Sequence, residues 1–559
     1  MRAAVIALAI ASARAVSTPS YDYVVIGGGT AGLTVANRLT EDKAVTVAVL
    51  EAGFNAEGLP EVFIPGLIGT GISFTTLNWA YATVPQTNLN GRTLTVNAGK
   101  ALGGSTIINS MIFPRAEKEH TWTWNGLLPF FKKSELATPP NKFQTETGGV
   151  RFLPSVHGFS GRVKVGFPNF FFTQSTLWRK AAEGLGFPAS PDLANGDPHA
   201  VGVAPDSIDA ANNTRCSAAC AYYTPFADRP NLVVITNATV TRILWSNTTA
   251  SKLKASGVEY IVNNQTKAIE LSKEVILSAG TIGSPKVLEL SGVGNSTILR
   301  AAGVTPVMEL PTVGENFADH VHSWANAFTN ITLTKDALLL NHTFAAEQEA
   351  LWFKNRTGLY SAVPRSLGIA APSDVFSPGQ LKTLIAQAQA NLTSFAAQFS
   401  NGNPTLAKGI AAQHKIALTL YQKDKELPLE MNLEPGYSGP TAFSARPARN
   451  YTAVNSVLYA PLSRGRTHIT SSNPLTPPAV DPAYWSHPST SPPNIYSGEF
   501  EPGADKDTDA KIEEWLRGVV ASDNHEVGSL SMMPESLGGV VDTSLKVYGT
   551  SNVRVAGAR

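Results

Sequence analysis

The chain has 559 residues and 59.3 kDa, with 43% hydrophobic and 16% charged residues, enough apolar material for a sizeable core and too much for a disordered chain. The 44 basic and 43 acidic residues leave a net charge of +1, so no basic field exists to neutralise phosphates and a nucleic-acid partner is disfavoured. Two cysteines exclude a disulfide scaffold and a cysteine-rich zinc module, leaving a large near-neutral globular protein, an enzyme before anything else, of three or four units at roughly 150 residues each.

At the N-terminus Arg2 precedes an apolar run, Ala3 to Ala11, and then Ala13-Arg14-Ala15. A positive start, a short apolar stretch and an A-x-A site predict a secretory signal peptide over residues 1–15. The run is too short to span a bilayer and no later stretch reaches 18 uninterrupted apolar residues, so no membrane partner is expected. Sequons at Asn212, Asn237, Asn247, Asn264, Asn295, Asn330, Asn341, Asn355, Asn391 and Asn450 also favour a secreted, glycosylated product.

Tyr21 to Ile26 is a compact β-branched and aromatic run, the profile of a buried parallel strand. It leads into Gly27-Gly28-Gly29-Thr30-Ala31-Gly32, a G-x-G-x-x-G that opens a helical pattern. A second apolar strand, Ala44 to Leu50, ends in Glu51, 19 residues after Gly32. Gly27 permits a tight turn, Gly29 lets the backbone approach a pyrophosphate, and Gly32 lets helix and strand pack closely. The helix start, with Thr30 and Ala31, offers unpaired N–H donors, and Glu51 can accept from a ribose. The motif marks a dinucleotide site with an unphosphorylated adenosine ribose; by itself it leaves NAD and FAD open.

Further along, Trp79 reads more simply as core than as a ring stacked on a cofactor. In Gly99 to Ala116, the stretch Leu102-Gly103-Gly104-Ser105-Thr106 exposes consecutive backbone N–H groups beside hydroxyls, able to lie against a flat ring system and its phosphates. Cys216 and Cys220 are four apart in a helical-looking stretch, a spacing too wide for an unstrained disulfide, so both are expected as buried thiols, a redox pair being the alternative. Asn231 to Ile243 and Glu274 to Leu277 read as strands, the latter running into Gly280 to Gly294. Ala345 to Phe353 and Leu381 to Phe399 read as helices, and Tyr437 to Pro440 and Pro474 to Pro482 as loops.

The blocks Gly99 to Ala116 (GKALGGSTIINSMIFPRA) and Gly280 to Gly294 (GTIGSPKVLELSGVG) resemble the paired signatures of the glucose–methanol–choline (GMC) oxidoreductases, FAD-dependent alcohol oxidases and dehydrogenases. Pro311 to His322, Tyr459 to Thr470 and Ser522 to Tyr548 resemble further blocks of that family in the family's order. The resemblance implies an α/β fold: a Rossmann-like FAD-binding domain, residues 20–310 plus 515–559, with an inserted α+β substrate-binding domain, 311–514, an antiparallel sheet with helices on one face. It also implies FAD as cofactor, Ser105 and Asn109 as cofactor contacts, and Val240 as a position whose backbone meets the adenine end. His525 matches the active-site histidine, the natural base for removing a hydroxyl proton while hydride passes to the flavin. His320 and His322 are the runners-up, read here as parts of a structural turn. No metal is expected.

The chain also departs from the family pattern. After Val555-Ala556-Gly557-Ala558-Arg559 the family's second catalytic position and final helix are missing, and the joins between Arg115 and Trp122 and from Pro488 to Gly498 look short. A catalytically impaired or truncated chain is therefore the alternative expectation, beside an active oxidase or dehydrogenase. The implied substrate is a small primary alcohol, aryl or polyketide-derived, with oxygen or a quinone-like compound accepting the electrons. A nicotinamide-dependent dehydrogenase is the rival enzyme; it would share the first glycine motif and need none of the later blocks.

Overall fold

The computed structural model describes residues 18–113, 115, 123–246, 251–363, 366–487 and 501–558. The expected leader (1–15), the two short joins and the sequon at Asn247 lie outside these residues.

The first strand forms where the sequence places it. β1 (Ser20–Ile26) runs into α1 (Thr30–Leu39) and then β2 (Val47–Leu50), whose four residues are all buried. The pattern ahead of Val47 is loop rather than strand, so β2 is shorter than Ala44 to Leu50. The stretch from Asn231 splits into β3 (Leu232–Ile235) and β4 (Thr239–Trp245), because Asn237 takes a left-handed turn between them. β5 (Ala255–Val262) and the long β6 (Gln265–Leu277) complete a sheet ordered β3-β2-β1-β6-β5-β4. β6 changes partner along its length: its first half pairs antiparallel with β5 and its second half parallel with β1. Val553–Val555, near the end of the chain, lies parallel to Val275–Leu277 on the other side of β6.

The second sheet is antiparallel and six-stranded. Its centre is β7 (Val321–Phe328), β8 (Ser366–Ala370), β9 (Leu429–Glu434) and β10 (Tyr451–Leu458), in the order β7-β10-β9-β8. Its two edges are short strands, Val201–Gly202 against β8 and Ala521–Ser522 against β7, both from outside the 311–514 stretch. The expected helices are present and longer: His342–Asn355, and then Pro378–Ala390 and Leu392–Phe399, separated at Asn391. Within the expected loop Pro474–Pro482, Ala479–Asp481 is a short strand beside β11 (Gly465–His468). Among the described residues no helix is long and apolar enough to cross a membrane.

The cysteines correct the sequence reading: Cys216 and Cys220 form a disulfide, with Cα atoms 5.2 Å apart. The helix spans Ala218–Tyr222 and Ser217 caps its N-terminus, its Oγ accepting from the N–H groups of Ala219 and Cys220. Cys216 therefore lies before the helix, and the i,i+4 geometry of a continuous helix does not apply.

One buried charge cluster ties the two regions together. α2 (Gly280–Leu290) carries Glu289 in its last turn, whose Oε1 lies 2.7 Å from Nδ1 of His468 on β11, while His468 Nε2 meets Glu315 Oε1 at 3.2 Å. Burial works against a charged ring, but hydrogen bonds and charge from the two glutamates outweigh it and lift the His468 pKa to about 9. Relative to an unfolded histidine near 6.5, this contribution to stability is fully present below about pH 6.5 and is lost as pH rises through about 9. His468→Gln is therefore expected to destabilise by about 3 kcal/mol at pH 6 and by progressively less towards pH 10. Urea unfolding at several pH values checks this; a pH-independent gap would remove the charged ring from the account.

Candidate active site

The glycine loop, α1 and α2 frame one cavity of about 820 Å³. Gly27 has φ +99°, and a Cβ there would sit 2.5 Å from the Ser278 carbonyl oxygen at the end of β6. At Gly32 a Cβ would lie 1.9 Å from the carbonyl oxygen of Gly27, so the close packing expected of this glycine is met. The second loop, Gly99 to Ser105, lies directly on the first: the Gly103 N–H donates to the Gly28 carbonyl at 2.8 Å. α1 and α2 both start without a side-chain cap, at Gly29 and Ala279, and both starts line the cavity with their first N–H groups unclaimed by caps.

Glu51 lies at the end of β2, 6% exposed, and lines the cavity. Its two oxygens accept from the backbone N–H groups of Gly28 and Gly53, each at 2.8 Å, while burial raises its pKa to about 7. The cavity wall therefore brings together Gly27, Gly29, Thr30, Ala31, Glu51, Ser105, Val240 and His525. Gly32 lies behind it as a packing residue. Asn109 does not line it: its Oδ1 accepts from the buried Arg215 guanidinium at 2.6 Å and from the Met111 N–H at 3.1 Å. Trp79, read from sequence as core, does line it, stacked on Tyr81 with ring centroids 5.8 Å apart.

On the same cavity wall, His525 carries a half-exposed ring. Its backbone N–H donates to Asp319 Oδ1 at 2.9 Å, and Asp319 also accepts from Ser522 and Tyr484. The ring Nδ1 faces Asp523 Oδ2 at 2.9 Å and His320 Nδ1 at 3.1 Å. His320 is thus part of the site rather than of a remote turn, and His322 belongs to β7, with its Nδ1 2.9 Å from Asp523 Oδ1. Both contacts join residues about 200 positions apart, which local pattern cannot reveal. The signal that was available is Asp523 itself, two residues before His525.

Electrostatics divide these groups. Burial opposes charge on His525, but Asp523, with help from Asp319 and Glu430, lifts its pKa to about 9. Burial, with the neighbouring His525 charge, lowers His320 to about 4 and keeps it neutral. Next along the chain, Glu526 also lines the cavity; its Oε1 is buried with no hydrogen-bond partner among the described residues, and burial followed by the Asp319 charge pushes its pKa up to about 8. The Ser278 hydroxyl on the wall is likewise buried without a partner.

These features fit FAD. Two uncapped helix starts and a glycine cradle suit a pyrophosphate, Glu51 suits a ribose, and buried polar atoms without protein partners await a polar ligand. The rival reading, a nicotinamide-dependent dehydrogenase, would leave the second glycine loop without a task.

Comparison with known proteins agrees. Family models described as GMC oxidoreductase match residues 21–322 and, for the C-terminal part, 492–558. A dehydrogenase from Armillaria gallica is 33% identical over 97% of this chain and 89% of its own. The GMC oxidoreductase family protein Mala s 12 of Malassezia sympodialis is 29% identical over 96% of this chain and 88% of its own. Among solved structures, an FAD-dependent oxidoreductase from Chaetomium thermophilum superposes with a TM-score of 0.84 at 31% identity, covering 96% of this chain and 94% of that one. A fungal aryl-alcohol oxidase gives 0.82 at 25% identity, with the same coverage. The expectation of a missing catalytic C-terminal segment is not supported, since the C-terminal model matches through residue 558.

Proposed function

The chain belongs to the GMC oxidoreductase family and binds FAD, and from that premise we propose that it oxidises a small primary alcohol, aryl or polyketide-derived, to the aldehyde with His525 as the base. The observation that carries this reading is the half-exposed His525 ring on the wall of the dinucleotide cavity, its Nδ1 engaged by Asp523.

Bound FAD supplies an acceptor for the hydride that leaves the carbinol carbon. Everything else falls to the chain. The imidazole takes the hydroxyl proton as the C–H bond breaks, which brings proton and hydride departure into one site. Trp79, on the same cavity wall, adds an aromatic ring to the lining, which favours an aryl substrate. The two glycine loops hold the dinucleotide, with Ser105 and Val240 as cofactor contacts. Oxygen or a quinone-like compound then takes the electrons.

On this reading residues 20–310 with 515–559 hold the cofactor and 311–514 shape the alcohol pocket. Secretion is part of the same proposal. It is supported by the Cys216–Cys220 disulfide, which an oxidising compartment favours, and by the exposure of seven of the nine described sequon asparagines, Asn212, Asn237, Asn264, Asn330, Asn341, Asn355 and Asn391.

The test is anaerobic addition of a benzylic alcohol to the purified yellow protein. Bleaching of the flavin band with release of the aldehyde is the expected result. A flavin spectrum indifferent to a panel of aryl and aliphatic primary alcohols would overturn the substrate class.

A further inference from the structure

We propose that Asp523 is a positioning residue for His525: it fixes the ring with its proton on Nδ1, leaves Nε2 as the basic atom, and sets the pH range in which that atom is free. This inference deepens the reading of His525 as base and rests on it.

The geometry is a three-centre contact. His525 Nδ1 lies 2.9 Å from Asp523 Oδ2 and 3.1 Å from His320 Nδ1. Two facing ring nitrogens at that distance need one proton between them, and a carboxylate can only accept. The arrangement is satisfied when His525 Nδ1–H donates chiefly to Asp523 while His320 Nδ1, unprotonated, accepts the weaker share. The reverse, with the proton on His320, would leave a bare His525 Nδ1 against a carboxylate oxygen. The tautomer of His525 follows, and its Nε2 carries the lone pair.

Asp523 is itself fixed from the other side. Its Oδ1 lies 2.9 Å from His322 Nδ1, and the His322 ring is held edge-on against Trp324 with centroids 4.6 Å apart. His320 is held against Tyr459 at 4.7 Å and stands perpendicular to His525 at 87°. The Asp523 carboxyl is therefore clamped between two imidazoles, which outweigh its burial and hold it well below the usual carboxylate range. It stays ionised through the neutral and alkaline range.

The charged and titratable groups around His525 are Asp523 and Glu526 on its own loop, Asp319 and His320 ahead of β7, His322 on β7, Glu430 on β9, and Tyr459 and Tyr484. Of these, Asp523 alone both bonds the His525 ring and carries a full charge against it. Asp319 bonds the His525 backbone rather than the ring. Removing the Asp523 charge should thus move the His525 titration down from about 9, by roughly one to two pH units for a single opposite charge in direct contact.

The experiment compares wild type, Asp523→Asn, Asp523→Glu and His525→Gln as full-length holoproteins between pH 6 and 10. One readout needs no substrate: the visible flavin band, perturbed when an imidazole on the same cavity wall changes charge. The other is kcat and KM with 4-methoxybenzyl alcohol. Wild type is expected to show a spectral transition and a rising kcat/KM limb near pH 9. In Asp523→Asn both move acidward by roughly one to two units. Its kcat falls about 100-fold or more through loss of the tautomer, with KM changed about 3-fold or less. Asp523→Glu returns the transition towards its original position. His525→Gln has no transition. An Asp523→Asn holoprotein whose transition and limb stay in place overturns the proposal, as does a wild type with no transition. If His525→Gln oxidises the alcohol at the wild-type rate, the base assignment itself fails; if it is inactive while Asp523→Asn titrates like wild type, the base stands and Asp523 is merely structural.

Discussion

His525→Gln is expected to lower kcat for alcohol oxidation by roughly 10²- to 10⁴-fold while the purified protein stays yellow. The size follows from what the ring does. Without a base the hydroxyl proton must leave to water, and the barrier rises by the share that a positioned proton acceptor removes. The substitution is close to isosteric, and the His525 backbone N–H that bonds Asp319 remains, so the loop keeps its anchor. FAD content should therefore match wild type, because the nearest cradle residues, Gly27 to Gly32 and Gly103 to Ser105, are untouched. Rapid-reaction measurement of anaerobic flavin reduction separates this step from reoxidation. Equal reduction rates in the two proteins would remove His525 from the chemistry.

Gly32→Ala is expected to have the larger effect on the cofactor, leaving protein that is purified mostly without FAD. One added methyl would stand 1.9 Å from the Gly27 carbonyl oxygen and 3.2 Å from Val25 Cγ1, both in the strand and turn that form the cradle. No flexible side chain can move aside, since the first clash is with backbone. Either α1 shifts away from β1 or the turn at Gly27 opens, and both displace the N–H groups that face the pyrophosphate. Overpacking at such a site is worth about 1–3 kcal/mol or more, and a misaligned cradle adds to it, so FAD affinity should drop at least 100-fold. Equilibrium dialysis of the holoprotein against buffer measures it. Retention of FAD as tight as wild type would mean the cradle tolerates a wider turn than its geometry implies. Gly58→Ala, where an added Cβ meets nothing within 4 Å, is the matched control.

How much of this was legible in the sequence depends on how far apart the deciding residues lie. The β1–α1–β2 start could be read because the glycine spacing, the apolar strands and Glu51 are all local, and Gly27 and Gly32 have a steric reason visible in the fold. His525 was reachable through the block around it. The network behind it was not: His320 and His322 sit on a turn and strand whose contacts with residues 523 and 525 exist only once β7 pairs with Ala521–Ser522. The edge strands of the antiparallel sheet, two residues each, carry no periodicity long enough to see. Asn109 is turned away from the cavity for a different reason, since a buried arginine from a distant two-residue strand, Arg215, claims its side-chain carbonyl. The cysteines were misread because Ser217 starts the helix one residue after Cys216, and a serine ahead of an alanine run is a cap signal that deserved more weight than the spacing.

The long β6 has a bearing on how the protein is made. Its second half is flanked by β1 on one side and by Val553–Val555 on the other, and Ala556, Gly557 and Ala558 continue onto the cavity wall. The first glycine loop leaves the ribosome more than 500 residues before those wall residues do. A chain still being synthesised can fold β1, α1 and β2 early, from local contacts, but the pocket lacks part of its wall until residues 556–558 have emerged. Cofactor capture is thus placed after residues 556–558 have joined the sheet, and until then a nascent chain carries an unfinished, apolar-lined cleft that chaperones would be the first to meet.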